Sequence, residues 1–362
     1  MRRILVINPF GIGDVLFTTP VLRALRSAYP DSFLAYLCSR SSEPVLRHNP
    51  HIQTFLLYTR GEFKIARRSS YRAYMRLFSA AARDIRRLHF DCAVDLSLVG
   101  QYSFFLWLLG VRERRGFDYR GRGRFLTHKI PLSGFAGQPV LAYYESLLRQ
   151  MGIPLPQRQT EVFLTAEERA AAADFLQRSG IPANRPCLGV VPFGGGSWGP
   201  DAEKKQWPLP RFAEAARHCA RRFQCAILIF GTAADRAAAE ALRQAIALPE
   251  QTRNLAGTTD VRRLMAVLER CAAVVGNDSG PLHIAAALGK KTLTLFGPAD
   301  EVVYGPAGDA RRNQIITAAV PCRPCYRQFR APACSADGRC LRDISVGQVI
   351  ARLDELWEAV TT

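Results

Sequence analysis

Four stretches of the chain combine residue types whose spacing can do chemistry. Gly11-Ile12-Gly13-Asp14 lies between an apolar run and a segment of helical spacing. Its glycines allow another molecule to approach the backbone closely, and Asp14 falls at a helix start, where it either faces that molecule or merely complements the helix dipole. The third glycine of a dinucleotide fingerprint is missing, and no acidic residue ends the next apolar run to grip a ribose. NAD binding is therefore disfavoured.

Val275-Gly276-Asn277-Asp278-Ser279-Gly280-Pro281-Leu282-His283 turns a strand into a helix. Asp278 or Ser279 can cap that helix, Pro281 suits its first turn, and the amides of Ser279 and Gly280 are expected to hold a phosphate. A carboxylate beside a pyrophosphate is repulsive, so Asp278 is expected either to face sugar hydroxyls or to cap. His283, one turn in, is a packed histidine or a ligand contact. From Phe193 through Gly194-Gly195-Gly196-Ser197 to Lys204-Lys205-Gln206-Trp207-Pro208, a Gly-rich loop and a lysine can serve a diphosphate; the bland alternative is a solvated surface loop. No Lys-Ser/Thr follows glycine at Walker A spacing, which leaves ATP hydrolysis unsupported. Finally, Cys322-x2-Cys325-x8-Cys334-x5-Cys340 reads either as zinc ligands or as reduced structural thiols, since only one pair has CxxC spacing.

The elements that must position these residues alternate. Ile4 to Ile7, Phe33 to Cys38 and Cys92 to Leu96 read as strands, with a basic amphipathic segment from Tyr71 to Leu88 before the third. A break at Gly152-Ile153-Pro154-Leu155-Pro156 precedes an Ala-rich helix from Ala166 to Ser179. The rhythm then resumes with strands at Cys187 to Val191, Cys225 to Phe230, Ala273 to Val275 and Thr292 to Phe296, separated by helical segments. Such alternation argues two parallel α/β domains, residues 1–156 and 157–362, and the chemistry-bearing loops all follow strand carboxyl ends, where open sheets bind ligands. The expected architecture is a pair of Rossmann-like domains facing each other across a cleft. The last helical segment, Ser345 to Val360, is free to pack back on the first domain.

With 362 residues, 48% of them hydrophobic, the chain can fill two cores. Only Met1-Arg2-Arg3 precedes the first apolar run, which leaves no room for a signal peptide and predicts a cytoplasmic protein. A net charge of +18 implies an anionic partner: nucleic acid, lipid surface or phosphorylated substrate. The charge concentrates early, with nine Lys/Arg against two acids between Arg60 and Phe90, and six Arg against two acids between Gly110 and Arg124.

Taken together, Ile4 to Leu25, Ser197 to Pro208 and Val275 to Asp300 resemble glycosyltransferase family 9, the ADP-heptose:lipopolysaccharide heptosyltransferases. Asn277 to Gly289, followed by Leu295-Phe296-Gly297-Pro298-Ala299-Asp300, is the most specific match, and the late Cys cluster looks like one found in many members. The resemblance implies the GT-B fold and inverting transfer with no metal or other cofactor, the donor being a nucleotide sugar, ADP-heptose. It implies that Asp14 is the general base and Lys205 the donor-phosphate lysine. Ser197, Asp278, Ser279, Gly280 and His283 would serve the donor, and Asp235 its ribose. A phosphorylated lipopolysaccharide-core acceptor would explain the early basic residues, with Gly13, Arg67, Arg68, Arg72, Arg122 and Arg124 on the acceptor side, and with peripheral contact to the inner membrane. Asn8-Pro9-Phe10-Gly11 departs from the family, which usually has a basic residue and serines there. Rival readings are a member with another sugar or acceptor, a GT-B sugar-nucleotide epimerase, and a nucleic-acid-binding module; no RNA or DNA motif accompanies the charge, so no nucleic-acid partner is expected.

Overall fold

The structure of the chain, a computed structural model, describes residues 2–58, 60–194 and 205–358. Two compact units divide between Arg158 and Gln159. The first contains β1 (Arg3–Ile7), α1 (Ile12–Leu16), α2 (Thr19–Ala28), β2 (Phe33–Leu37), α3 (Glu43–Leu46), β3 (Thr54–Leu56), α4 (Arg60–Ser69), α5 (Tyr71–Leu88), β4 (Cys92–Asp95), α6 (Gly100–Leu108), β5 (Glu113–Tyr119), β6 (His128–Leu132) and α7 (Val140–Arg149). Its six strands are parallel in the order β3-β2-β1-β4-β5-β6. β1 and β4 are the central pair, so their side chains are covered on both faces and are apolar from Ile4 to Ile7 and from Cys92 to Val94.

The second unit contains α8 (Ala166–Arg178), β7 (Cys187–Val191), α9 (Leu209–Arg222), β8 (Ala226–Ile229), α10 (Arg236–Ile246), β9 (Thr252–Asn254), α11 (Val261–Glu269), β10 (Ala273–Asn277), α12 (Gly280–Ala287), β11 (Lys291–Phe296), α13 (Glu301–Tyr304), β12 (Asn313–Thr317), α14 (Arg339–Arg342) and α15 (Val346–Glu358). Again six parallel strands form the sheet, ordered β12-β11-β10-β7-β8-β9. In each sheet the chain leaves its first strand in one direction and later returns to the other side. The loops after β1 and β4, and those after β7 and β10, therefore diverge and leave room for a ligand at the strand ends.

Local signals fix several of these elements. α8 opens on a capping box in which the Thr165 hydroxyl accepts the Glu168 amide at 3.2 Å and the Glu168 carboxylate accepts the Thr165 amide at 2.9 Å. Gly276 is required by close strand approach, because a Cβ there would stand 2.4 Å from the Val191 carbonyl oxygen of β7. The terminal helix α15 packs on α9 and β11, burying Val349, Leu353 and Leu356 in the second unit's core. Trp357 stacks on Phe223 with centroids 4.8 Å apart.

Candidate functional site

In the second unit the site is built at the ends of β7 and β10. Trp207 is fully buried, edge-on to Phe212 with centroids 4.8 Å apart, and its indole N–H donates to the Ile344 carbonyl at 3.0 Å. Its backbone amide donates to Asn277 Oδ1 at 2.9 Å, while Asn277 Nδ2 donates to the Pro192 carbonyl at 2.5 Å. One buried amide thus ties together the ends of β7 and β10 and the segment before α9. Fixing Trp207 in this way fixes Lys205, two residues earlier, whose ammonium pairs with the Asp278 carboxylate.

Both members of that pair are buried, Lys205 at 8% and Asp278 at 6% exposure, so the pairing is obligatory rather than decorative. His283 Nε2 lies 3.6 Å from the other Asp278 oxygen. Burial alone would raise the Asp278 pKa. The Lys205 ammonium and His283 more than offset this and hold it at about 2. Asp278 is therefore ionised throughout the neutral range, and Lys205 is held beside the opening turn of α12, whose first amides have no partner within the helix.

Of the two roles expected of Asp278, capping is not the one seen: its carboxylate faces Lys205 and His283. Ser279 occupies the N-cap position of α12 without a side-chain cap, its hydroxyl donating instead to the Asn277 carbonyl at 2.9 Å. The local sequence shows an acid next to a turn that opens a helix; only the fold brings in the lysine that pairs with it. A Cβ on Gly194 would lie 3.4 Å from Ser279 Cβ, which places the start of the Gly-rich loop against the same turn. Ser197 and Lys204 lie outside the described residues. Asp235 follows β8, where its carboxylate accepts the amide and the hydroxyl of Thr232, each at 2.7 Å. Its loop adjoins the Gly-rich one, because a Cβ on Gly231 would meet both Asp235 and Phe193 at 2.9 Å.

In the first unit, buried Asn8 shapes the loop after β1. Its Oδ1 accepts the Phe10 amide at 3.2 Å and its Nδ2 donates to the Asp14 carbonyl at 3.3 Å. Asp14 is exposed on the first turn of α1 beside Gly13, with one carboxylate oxygen accepting the Gly11 amide at 3.2 Å. That bond serves the helix start and also orients the carboxylate. Sequence reasoning assigned nothing to Asp95, which is buried at the end of β4 next to Ile7 of β1. Burial pushes its pKa up to about 6, against the lowering influence of Ser97, whose amide and hydroxyl donate to it at 3.0 and 2.5 Å. A lone acid closing an apolar run gave no signal of this.

Arg67, Arg68 and Arg72 are exposed on α4 and α5, and Arg122 and Arg124 are exposed on the turn after β5. The Arg122 guanidinium lies 5.4 Å from the Tyr119 ring and that of Arg124 lies 5.8 Å from the Phe125 ring. Cys322, Cys325, Cys334 and Cys340 all line one void of about 30 Å³. Among the described residues, however, no group of three or more His, Cys, Asp or Glu is arranged to hold a metal ion.

This arrangement has relatives. The sequence model of glycosyltransferase family 9 (heptosyltransferase) matches residues 78–333. Lipopolysaccharide heptosyltransferase 2 of Escherichia coli (strain K12) is 25% identical, over 98% of this chain and 98% of its own. Among solved structures, the ADP-heptose lipopolysaccharide heptosyltransferase II of E. coli superposes with a TM-score of 0.76 at 21% identity, covering all of both chains. A family 9 glycosyltransferase from Veillonella parvula does so with a TM-score of 0.81 at 21% identity, over 99% of this chain and 98% of its own. The epimerase and nucleic-acid readings fall away, and the two six-stranded parallel sheets are those of the GT-B fold. With the family model spanning most of the chain, this protein belongs to glycosyltransferase family 9, the heptosyltransferases, and is a glycosyltransferase.

Proposed function

We propose that the chain transfers a heptose from ADP-heptose to a phosphorylated lipopolysaccharide inner core, with inversion and without a metal, on the cytoplasmic face of the membrane. The buried Lys205–Asp278 pair at the opening of α12 carries this reading. A lysine fixed by a buried carboxylate beside a helix N-terminus is suited to the negative charge of a diphosphate.

In the reaction, Asp14 takes the proton of an acceptor hydroxyl as its oxygen attacks the anomeric carbon of the heptose. The bond from that carbon to the diphosphate breaks on the opposite side, and ADP departs with the electron pair. Lys205 and the first amides of α12 meet the charge that develops on the leaving oxygen, the task a divalent cation performs in other transferases. Asp278 and His283 hold Lys205 in place, and Asp235 accepts a ribose hydroxyl. Arg67, Arg68, Arg72, Arg122 and Arg124 supply positive charge for the acceptor's phosphates.

Purified protein, ADP-heptose and a deacylated core acceptor, with and without a chelator, test this. The expected products are ADP and an acceptor heavier by one heptose residue, at the same rate in both samples. ADP release that is independent of acceptor would overturn the transfer reading, and chelator-sensitive transfer would overturn its metal independence.

A further inference from the structure

The loop after β1 presents an aromatic ring to which the proposed transfer gives no task. Phe10 is 39% exposed, although Ile7 and Asn8 just before it are fully buried. Among the described residues of the first unit, the other exposed large apolar side chains lie on α4, α5 and α6. Phe10 stands apart from them, at the carboxyl end of a central strand, where open sheets bind ligands.

The turn that carries the ring is pinned at both ends. Asn8 continues the ladder of β1, its amide donating to the Leu37 carbonyl of β2 at 3.0 Å. Its Oδ1 accepts the Phe10 amide at 3.2 Å and its Nδ2 donates to the Asp14 carbonyl at 3.3 Å, so one buried side chain ties Phe10 to the first turn of α1. The next amide, that of Gly11, donates to Asp14 Oδ2 at 3.2 Å. Because a planar peptide joins Phe10 to Gly11, the Phe10 Cα lies within about 6 Å of that carboxylate oxygen.

An exposed ring fixed beside a carboxylate suits a sugar. One face of a pyranose carries C–H groups that the neighbouring oxygens leave slightly positive, and the face of a phenyl ring is negative. The two stack, and the sugar's hydroxyls stay free at its rim for a base. We propose that Phe10 is the stacking platform for the acceptor sugar whose hydroxyl gives its proton to Asp14. The proposal rests on the transfer reading, and the ring goes to the acceptor because its loop also carries the base that acts on the acceptor. A neutral ring offers nothing to phosphate. Phe10 therefore selects acceptors by the shape of the sugar, and a hydroxyl projecting from the stacked face would hold a sugar off the ring.

Steady-state kinetics of the full chain with ADP-heptose and the deacylated core acceptor test this. Phe10→Ala should raise the acceptor's KM about tenfold and leave the donor's KM and the melting temperature unaltered, since the position is exposed. Phe10→Leu keeps an apolar side chain without a π face and should lose nearly as much; Phe10→Trp restores the face and should recover to within about threefold of the parent. Proton NMR gives a second readout: acceptor C–H resonances should move upfield in the ring current of the parent and stay in place with Phe10→Leu. A parent that transfers no heptose would refute the transfer reading, and this proposal with it. A parent that transfers while Phe10→Ala keeps its acceptor KM would overturn this proposal alone. So would a Phe10→Leu variant equal to the parent, which reduces the contact to apolar burial, or a rise confined to the donor's KM, which gives the ring to the transferred heptose. A fall in kcat with both KM values spared would make Phe10 a brace for Asp14 and overturn it equally.

Discussion

Removal of the Asp278 charge tests the site at its centre. Its pKa falls from 3.8 to about 2 in the folded protein despite burial. At pH 7 that drop corresponds to about 2 kcal/mol of stability supplied by the ionised carboxylate. Asp278→Asn does more than forfeit this, because it leaves the Lys205 ammonium buried without its counter-charge; the expected loss is about 3–5 kcal/mol. Lys205→Met strands the carboxylate in the same way, with His283 as its remaining partner. The double variant strands neither, so it should be more stable than the sum of the single losses implies, by a coupling of about 2 kcal/mol. Urea unfolding followed by tryptophan emission measures all four corners of the cycle, and Trp207 lies close enough to report on the pair. The charge acts with a definite sign: its contribution is complete above the unfolded pKa near 3.8 and disappears as pH falls through about 2. A coupling below about 0.5 kcal/mol at pH 7 would refute the reasoning, since that is the range of an exposed, screened pair. The cycle also separates structure from function. A double variant that folds but binds ADP as tightly as the parent would make the pair a structural clasp, whereas loss of ADP binding places Lys205 at the diphosphate.

Other outcomes follow from the same geometry. Asp14→Asn keeps the size and the Gly11 contact but cannot accept a proton, so transfer should drop about 10²–10⁴-fold with donor affinity nearly unchanged; a variant retaining a tenth of the parent rate, with chemistry rate-limiting, moves the base elsewhere. Arg67→Glu or Arg72→Glu should raise the acceptor's KM about tenfold and spare the donor's, and an equal loss for both substrates would remove these residues from the acceptor side. For Asp95, raised to about 6 from 3.8, the folded state holds the proton more tightly, so its contribution is complete below about pH 3.8 and is lost, by about 3 kcal/mol, as pH rises through 6. Asp95→Asn should remove that slope in melting temperature between pH 4 and 7, and an unchanged slope would mean that another group titrates. Gly276→Ala should cost about 1–3 kcal/mol by driving a methyl into the Val191 carbonyl, which thermal unfolding would detect.

The central strands were legible and the edges were not, for a physical reason. Nearly every residue of β1, β2, β4, β7, β8, β10 and β11 is buried, so apolar side chains dominate both faces, with Thr292 and Thr294 of β11, Asp95 of β4 and Asn277 of β10 buried among them. β5 instead begins Glu113-Arg114-Arg115, a sequence that reads as a surface loop. Yet Arg114 is buried, and its guanidinium donates to the Phe125 carbonyl at 2.6 Å, fastening the connection to β6. β6 carries Pro131 and exposed His128 and Lys129, which only an edge position tolerates. β3 and β9 have three residues each, too few to show a period.

At the site, the turn from β10 to α12 was readable because it is a local object, made of a strand end, a glycine and a helix start. Partnerships were not, because strand order decides them. Placing β10 beside β7 brings Asp278 to Lys205 and Asn277 to Trp207, although neither residue carries any mark of the other in sequence. Placing β4 beside β1 sets Asp95 next to Ile7, at the strand end from which the Asp14 loop departs. An acid read alone had to be assigned to the nearest local task, a cap or a sugar hydroxyl. Once the sheet supplies a lysine, the same acid becomes the group that pairs with it and holds it in place.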